Sequence, residues 1–301
     1  MTIPTGVLPV LATPFAEDGS IDEESLHRQI DFVIDNGAHG VVLGMVSEVL
    51  RLSEDERAQL TTLTCKAVAR RVTVTTSVGA ESTHTAAGFA RQAAAAGADA
   101  VMAIPPMGTA CDDDQLFGYF SAIVDAVDVP VVVQDASGYL GRPLSIELQA
   151  RLFGAFGDRV LFKPEAQPIG PRLSSLLAAT DGAAKVYEGT GGLALVDSHR
   201  RGITGTMPGP DIVWALSRLW HALETGDQST VDTLQGPMSA LVSLQNSLDS
   251  FVAVQKHLLV RQGVIRQAIA RGPVGYLLDE QTAREVDRLY DVLATAAGYR
   301  G

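Results

Sequence analysis

The run VLFKPE, residues 160–165, sets three large apolar residues directly before a lysine, a proline and a glutamate. Val160, Leu161 and Phe162 read as a strand buried on both faces. Lys163 sits at its end, where an ammonium is costly to bury unless it is paired or neutralised. The chain has only four lysines, Lys66, Lys163, Lys185 and Lys256, so this placement is distinctive. At the end of a barrel strand such a residue reads as a catalytic amine.

Seven further runs resemble this one. They are GVLPVLATP from Gly6, GVVLG from Gly40, VTVTTSV from Val72, DAVMAIPP from Asp99, VPVVVQDA from Val129, AAKVYEG from Ala183 and GITGTMPG from Gly202. Most are continuously apolar, the mark of parallel strands covered on both faces, and helical patterns of ten to twenty residues separate them. DNGAHGVVLG and AAGADAVMAIP echo each other, each with Gly-Ala closing a helix just before a strand. The expected fold is α/β: a (β/α)8 TIM barrel over residues 1–223. After Gly209 the strands stop. An amphipathic helix carrying Trp214 and Trp220 is expected over residues 211–223. Residues 224–301 then read as a C-terminal helical extension, punctuated by Pro273 and Gly275. No linker sets it off, so it is expected to pack on the barrel and not to form an independent module.

The 301 residues suit one barrel with an appendage, and 46% apolar content is enough for a sizeable core. A net charge of −12 argues against nucleic acid or an anionic membrane as partner. Cys65 and Cys111 are too few for a disulfide framework or a zinc cluster. The N-terminal MTIPTGVLPV has no signal-peptide pattern, and no run is long enough to span a bilayer, so the cytoplasm is expected. The six histidines are scattered without a metal-binding motif, and no dinucleotide or P-loop fingerprint occurs. No metal and no cofactor are expected.

In a barrel of this kind chemistry belongs at the C-terminal ends of the strands. Lys163 is there; Lys185, which opens the seventh strand, is at the other rim. A Schiff-base lysine must attack as the free amine, and its iminium then acts as an electron sink. The reaction needs a proton shuttle, for which Glu48, Glu165 and Glu188 are candidates on the same rim. Asp135 and Gln134 end strand five, although an Asp there often makes a turn. Ser47, Val46 and the adjacent amides are candidate anchors for a substrate carboxylate. So is the small-residue loop Gly189–Thr190–Gly191–Gly192, whose backbone can approach an anion. Gly205 and Thr206, after strand eight, could line the pocket.

These features resemble the dihydrodipicolinate synthase / N-acetylneuraminate lyase family of Schiff-base aldolases. GMVSEVLRLSEDER is similar to the family pattern of Gly, three residues, Glu, then Leu-Ser-x-x-Glu-Arg, and Lys163 falls at the family's Schiff-base lysine. The resemblance covers nearly the whole chain, extension included, and implies a homo-oligomer, a dimer or a tetramer. Departures are specific. Met45 and Val46 stand where the family has two hydroxyl residues, and Ser47 where a glycine is usual. Gln134-Asp135 replaces Tyr-Asn, so the relay tyrosine is missing. Tyr139 replaces an arginine used for a second carboxylate, and is expected to lie beyond the strand end. Glu165 comes one place after the family's usual Glu. SE, QDA and FKPE look closer to the branch that dehydrates 2-keto-3-deoxy sugar acids such as L-2-keto-3-deoxyarabonate. Three readings follow: a Schiff-base dehydratase of a 2-keto-3-deoxy sugar acid, a pyruvate-dependent aldolase or synthase such as 4-hydroxy-tetrahydrodipicolinate synthase, or a non-catalytic barrel that binds a keto acid.

Overall fold

The computed structural model describes residues 3–139 and 141–300. Eight parallel strands follow one another around a ring: β1 (Gly6–Val7), β2 (Gly40–Leu43), β3 (Thr73–Ser77), β4 (Ala100–Ala103), β5 (Val131–Asp135), β6 (Val160–Pro164), β7 (Tyr187–Glu188) and β8 (Gly205–Thr206). Single bridges Val10↔Val42 and Phe162↔Val186 join the two hydrogen-bonded arcs and close the barrel. Around it stand α1 (Glu23–Asp35), α2 (Glu54–Val68), α3 (Thr83–Ala96), α4 (Asp113–Asp125), α5 (Ile146–Phe156), α6 (Ile169–Ala179), α7 (Leu195–Arg200) and α8 (Val213–Thr225). The expected TIM barrel is therefore present. The eighth helix starts at Val213 rather than at 211.

Local chemistry sets the helix ends. Asp22, Ser53, Ser82, Asp112 and Ser145 each cap a helix by accepting from a backbone N–H of its first turn. Ser53 and Glu56 form a reciprocal capping box.

Side chains alternate across each strand, and this sorts the barrel into two cores. Val10, Val42, Met102, Val132, Leu161, Tyr187 and Met207 fill the lumen. Val131, Val133, Val160, Phe162 and Val186 belong to the layer between strands and helices. Two residues beyond a lumen residue the chain faces the lumen again. Leu161 therefore brings Lys163 inward, and Val132 brings Gln134 inward. The β5–β6 register sets Gln134 directly beside Lys163.

Beyond α8 the chain forms α9 (Gln228–Val242), α10 (Leu248–Arg261) and α11 (Glu280–Ala297). Trp214 of α8 packs edge-on to Tyr290 of α11 and stacks on Tyr299, with ring centroids 5.6 and 4.2 Å away. The second attachment is ionic. Lys256 of α10, fully buried, bonds Glu48 in the turn after β2 and the carbonyl of Ile269, 2.6 Å away. The Arg271 backbone N–H donates to the other Glu48 oxygen at 2.6 Å. Burial pulls the Lys256 ammonium below its usual pKa, while Glu48 opposes the shift.

Removing one partner of such a pair strands the other charge in the interior. We expect Lys256→Met to lower unfolding free energy by about 3–5 kcal/mol, with Lys256→Met/Glu48→Leu recovering part of the loss. Urea unfolding of the three proteins measures this. A single variant as stable as the parent would contradict the role given to the pair.

Candidate active site

Lys163 and Glu165 lie two residues apart, so the pleat turns both toward the lumen even though Pro164 ends the strand between them. Their charged ends are 3.2 Å apart and both side chains are almost wholly buried. The second Glu165 oxygen accepts from the Gln134 amide nitrogen at 2.7 Å. Burial pushes the Glu165 carboxyl above its ordinary pKa; Lys163 and Gln134 pull the other way without reversing it.

A small cavity opens on this pair. Val10, Met45, Val46, Met207, Leu248 and Phe251 form its apolar wall, and Gln134, Tyr139, Lys163, Glu165 and Gln255 its polar part. Its free volume is about 30 Å3, room for about one water, so any larger ligand must push side chains aside to enter. A larger cavity of about 890 Å3 lies beside the β4 and β5 loops, lined by Pro106, Met107 and Arg142 among others. No lysine is among the described residues that line it. Met45, Ile104 and Ala136, with Tyr139 and Leu248, form an apolar cluster whose members border both spaces. Chemistry, not size, selects the smaller cavity.

The structure brings Lys163, Glu165, Gln134, Val46 and Gly189 together around this cavity. It engages the other candidate residues elsewhere. Glu48 follows β2 in a left-handed conformation and is bound to Lys256 and the Arg271 N–H. Ser47 is fully buried, its hydroxyl accepting from Gly44 N–H at 3.0 Å and donating to the Leu11 carbonyl at 2.5 Å. That leaves little for a substrate carboxylate. Asp135 has the outward parity of β5. It accepts from Ser137 N–H and hydroxyl at 3.1 and 2.6 Å and from Leu144 N–H at 3.0 Å, which makes it a turn-former.

Glu188 follows the lumen residue Tyr187 and so turns off the lumen. It accepts from Thr206 at 2.6 Å and from both the hydroxyl and the N–H of Thr190. Thr190 N–H thus serves this carboxylate and not an anion. The glycine loop is a tight turn, with Gly191 and Gly192 at φ of 71° and 105°. Gly205 and Thr206 are strand β8 itself, not a loop after it. A Cβ on Gly205 would stand 2.5 Å from the Gly6 carbonyl, so glycine there lets two strands meet.

Two residues enter that the sequence reading did not place here. Tyr139, expected beyond the strand end, lines the cavity and packs edge-on to Phe251 at 5.8 Å. Its phenol is held far above its usual pKa, first by burial and then by the charges of Glu165 and Glu188, so it keeps its proton. Gln255 comes from α10. Leu248, Phe251 and Gln255 recur at spacings of three and four and so share one helix face, which roofs the cavity. The polar pair Gln-Lys inside the apolar run FVAVQKHLLV was the available signal.

With the site in view, comparison with known proteins places the chain. A profile of the dihydrodipicolinate synthetase family matches residues 3–291. The chain belongs to that family. It is an enzyme, a lyase of the class I aldolase type. It is 29% identical to the L-2-keto-3-deoxyarabonate dehydratase of Azospirillum brasilense over 274 residues, 89% of this chain and 88% of that one. It is 35% identical to the 4-hydroxy-tetrahydrodipicolinate synthase of Rhizobium meliloti (strain 1021) over 148 residues, 49% of this chain and 50% of that one. The solved dihydrodipicolinate synthase of Rhodopseudomonas palustris superposes with a TM-score of 0.87 at 27% identity, covering 96% of this chain and 97% of the other. Among the described residues no helix is long and apolar enough to cross a membrane, and no three His, Cys, Asp or Glu are grouped to hold a metal ion.

Gly189 supplies clearance for the central pair. A Cβ there would lie 2.7 Å from Lys163 Cε and 2.8 Å from both Glu165 Cγ and Oε1. We expect Gly189→Ala to lower kcat/KM roughly 10²-fold by displacing the reacting groups. Steady-state turnover of a 2-keto acid measures this, with a melting curve to confirm folding. Unchanged kcat/KM would contradict it.

Proposed function

We propose that this lyase dehydrates a 2-keto-3-deoxy sugar acid through an imine on Lys163. The observation that carries the reading is the buried Lys163–Glu165 pair, 3.2 Å apart at the C-terminal end of β6. Glu165 is close enough to take the proton Lys163 must lose before its amine can attack. The amine adds to the C2 ketone, and the carbinolamine hydroxyl leaves as water with the proton Glu165 took, which forms the iminium and restores the carboxylate. Glu165 then removes a C3 proton, and the electron pair moves into the iminium to give an enamine. Return of that pair expels the C4 hydroxyl, which departs as water with the proton Glu165 took from C3. Hydrolysis of the unsaturated iminium frees the product and Lys163.

Each supporting residue has a limited task. Gln134 orients Glu165 through its amide nitrogen. Val46 and Met45 border the cavity after β2, and their backbone N–H groups are offered to the substrate carboxylate in place of the occupied Ser47 hydroxyl. Glu188 and Glu48 act at a distance: Glu188 holds the loop carrying Gly189, and Glu48 holds the turn carrying Met45 and Val46.

The dehydratase reading is preferred to a synthase on the charge of the cavity. Lys163 is the only cationic side chain among the described residues lining the cavity, whereas condensation of pyruvate with aspartate semialdehyde must hold two carboxylates. The names of the relatives divide: one that matches 89% of the chain is a dehydratase, and one that matches 92% is a 4-hydroxy-tetrahydrodipicolinate synthase. Tyr139 is the observation favouring the aldol alternative, since it returns a phenol to the cavity.

The test is kcat/KM for water loss from a C5 or C6 2-keto-3-deoxy acid against condensation of pyruvate with aspartate semialdehyde, on one preparation. We expect dehydration to be faster; faster condensation would overturn the reading.

The pH dependence follows from Glu165. Its pKa in the folded chain is raised, so kcat/KM should climb with pH through a value above the ordinary carboxylate pKa of about 4.3. The same shift means the folded chain holds that proton more tightly than the unfolded chain. The stability it contributes is complete below the unfolded pKa and is lost as pH rises through the folded one. Glu165→Gln should remove this limb and lower kcat roughly 10²–10⁴-fold. A variant retaining the parent's acid limb would assign the base elsewhere.

A further inference from the structure

Two polar atoms of the cavity residues have nothing to bond. The amide oxygens of Gln134 and Gln255 are buried without a hydrogen-bond partner among the described residues, and both residues line the Lys163 cavity. Each side chain is almost fully enclosed, at 1% exposure. Folded proteins seldom leave such atoms unmatched, because the bond to water is lost and nothing replaces it. Gln134 is accounted for at its other end, where its nitrogen holds Glu165. Gln255 holds no catalytic group. Leucine or methionine would roof the apolar wall beside Leu248 and Phe251 without stranding a carbonyl.

The surroundings of Gln255 are built to fit it. A Cβ on Gly209 would stand 2.3 Å from Gln255 Nε2 and 2.5 Å from Asp211 Oδ1, so glycine leaves room for the amide at the cavity edge. Asp211 is fully buried beside it, and burial pushes its carboxyl up to about 7.

We propose that Gln255 is a specificity residue that binds a hydroxyl group on the part of the keto acid beyond the imine carbon. The C-terminal extension, and not the barrel alone, thereby selects a polyhydroxylated acid over pyruvate. The class follows from the chemistry of the amide. It offers one acceptor and one donor group, and a hydroxyl both gives and takes a hydrogen bond. A second carboxylate only accepts, which leaves the buried oxygen unmatched. A methyl group does neither. This inference rests on the reading of the Lys163 cavity as the keto-acid site.

Calorimetric titration tests it without requiring turnover. Dissociation constants for 2-keto-3-deoxypentonate and for pyruvate are measured on the parent, on Gln255→Met and on Gly209→Ala, each carrying Glu165→Gln so that the hydroxylated acid is bound and not consumed. Met keeps the volume of the roof, and the Gly209 variant displaces the amide without removing it. We expect the parent to bind the hydroxylated acid more tightly, and each variant to erode that preference about tenfold. Pyruvate binding reports that the cavity is intact. A parent without preference, or variants in which both constants move together or not at all, would overturn the proposal. Tight, Gln255-dependent binding, with no water loss by the enzyme that keeps Glu165, would instead sink the dehydratase reading and leave this one standing.

Discussion

A buried ammonium and a buried carboxyl 3.2 Å apart are the constraint around which this barrel is arranged. Taking either group out of water is costly, and mutual attraction offsets that only when geometry is good and the remaining polar atoms are satisfied. Each neighbour can be read as meeting one of those conditions. The pleat of β6 turns Lys163 and Glu165 to the same side. Register sets Gln134 beside Lys163 and so against the free oxygen of Glu165. Gly189 contributes by having no side chain where one would collide with both.

A second buried ion pair lies on the other side of the turn after β2, and its work is different. Lys256 and Glu48 join the extension to the barrel, with the Arg271 N–H and the Ile269 carbonyl saturating the pair. Consecutive residues of α10 divide the labour: Lys256 locks the turn that carries Met45 and Val46, while Gln255 borders the cavity. The extension is thus both anchor and roof.

The barrel was legible because each strand is a short apolar run bounded by helical patterns, and because alternation is a local rule. The pairing of Lys163 with Glu165 was legible for the same reason, their spacing being two. The acids were harder to sort. Parity along β5 and β7 separates Asp135 and Glu188 from the lumen, but only once the strand ends are known to the residue. Glu48 lies past a strand end, where alternation no longer applies, and its partner is Lys256, far away in sequence. Tyr139 lies past the end of β5, where alternation no longer places a side chain. The turn at Asp135–Ser137 instead folds the chain back over the strand end and returns the ring to the cavity. Gln255 was hidden because only the docking of α10 decides which face of that helix meets the barrel mouth.

Reduction by borohydride in the presence of a 2-keto acid, followed by peptide mapping, tests the central claim most directly. The account predicts a single adduct, on the peptide containing Lys163, with Lys256 unmodified although it too is buried. Absence of any adduct at saturating keto acid, or an adduct on another lysine, would contradict it.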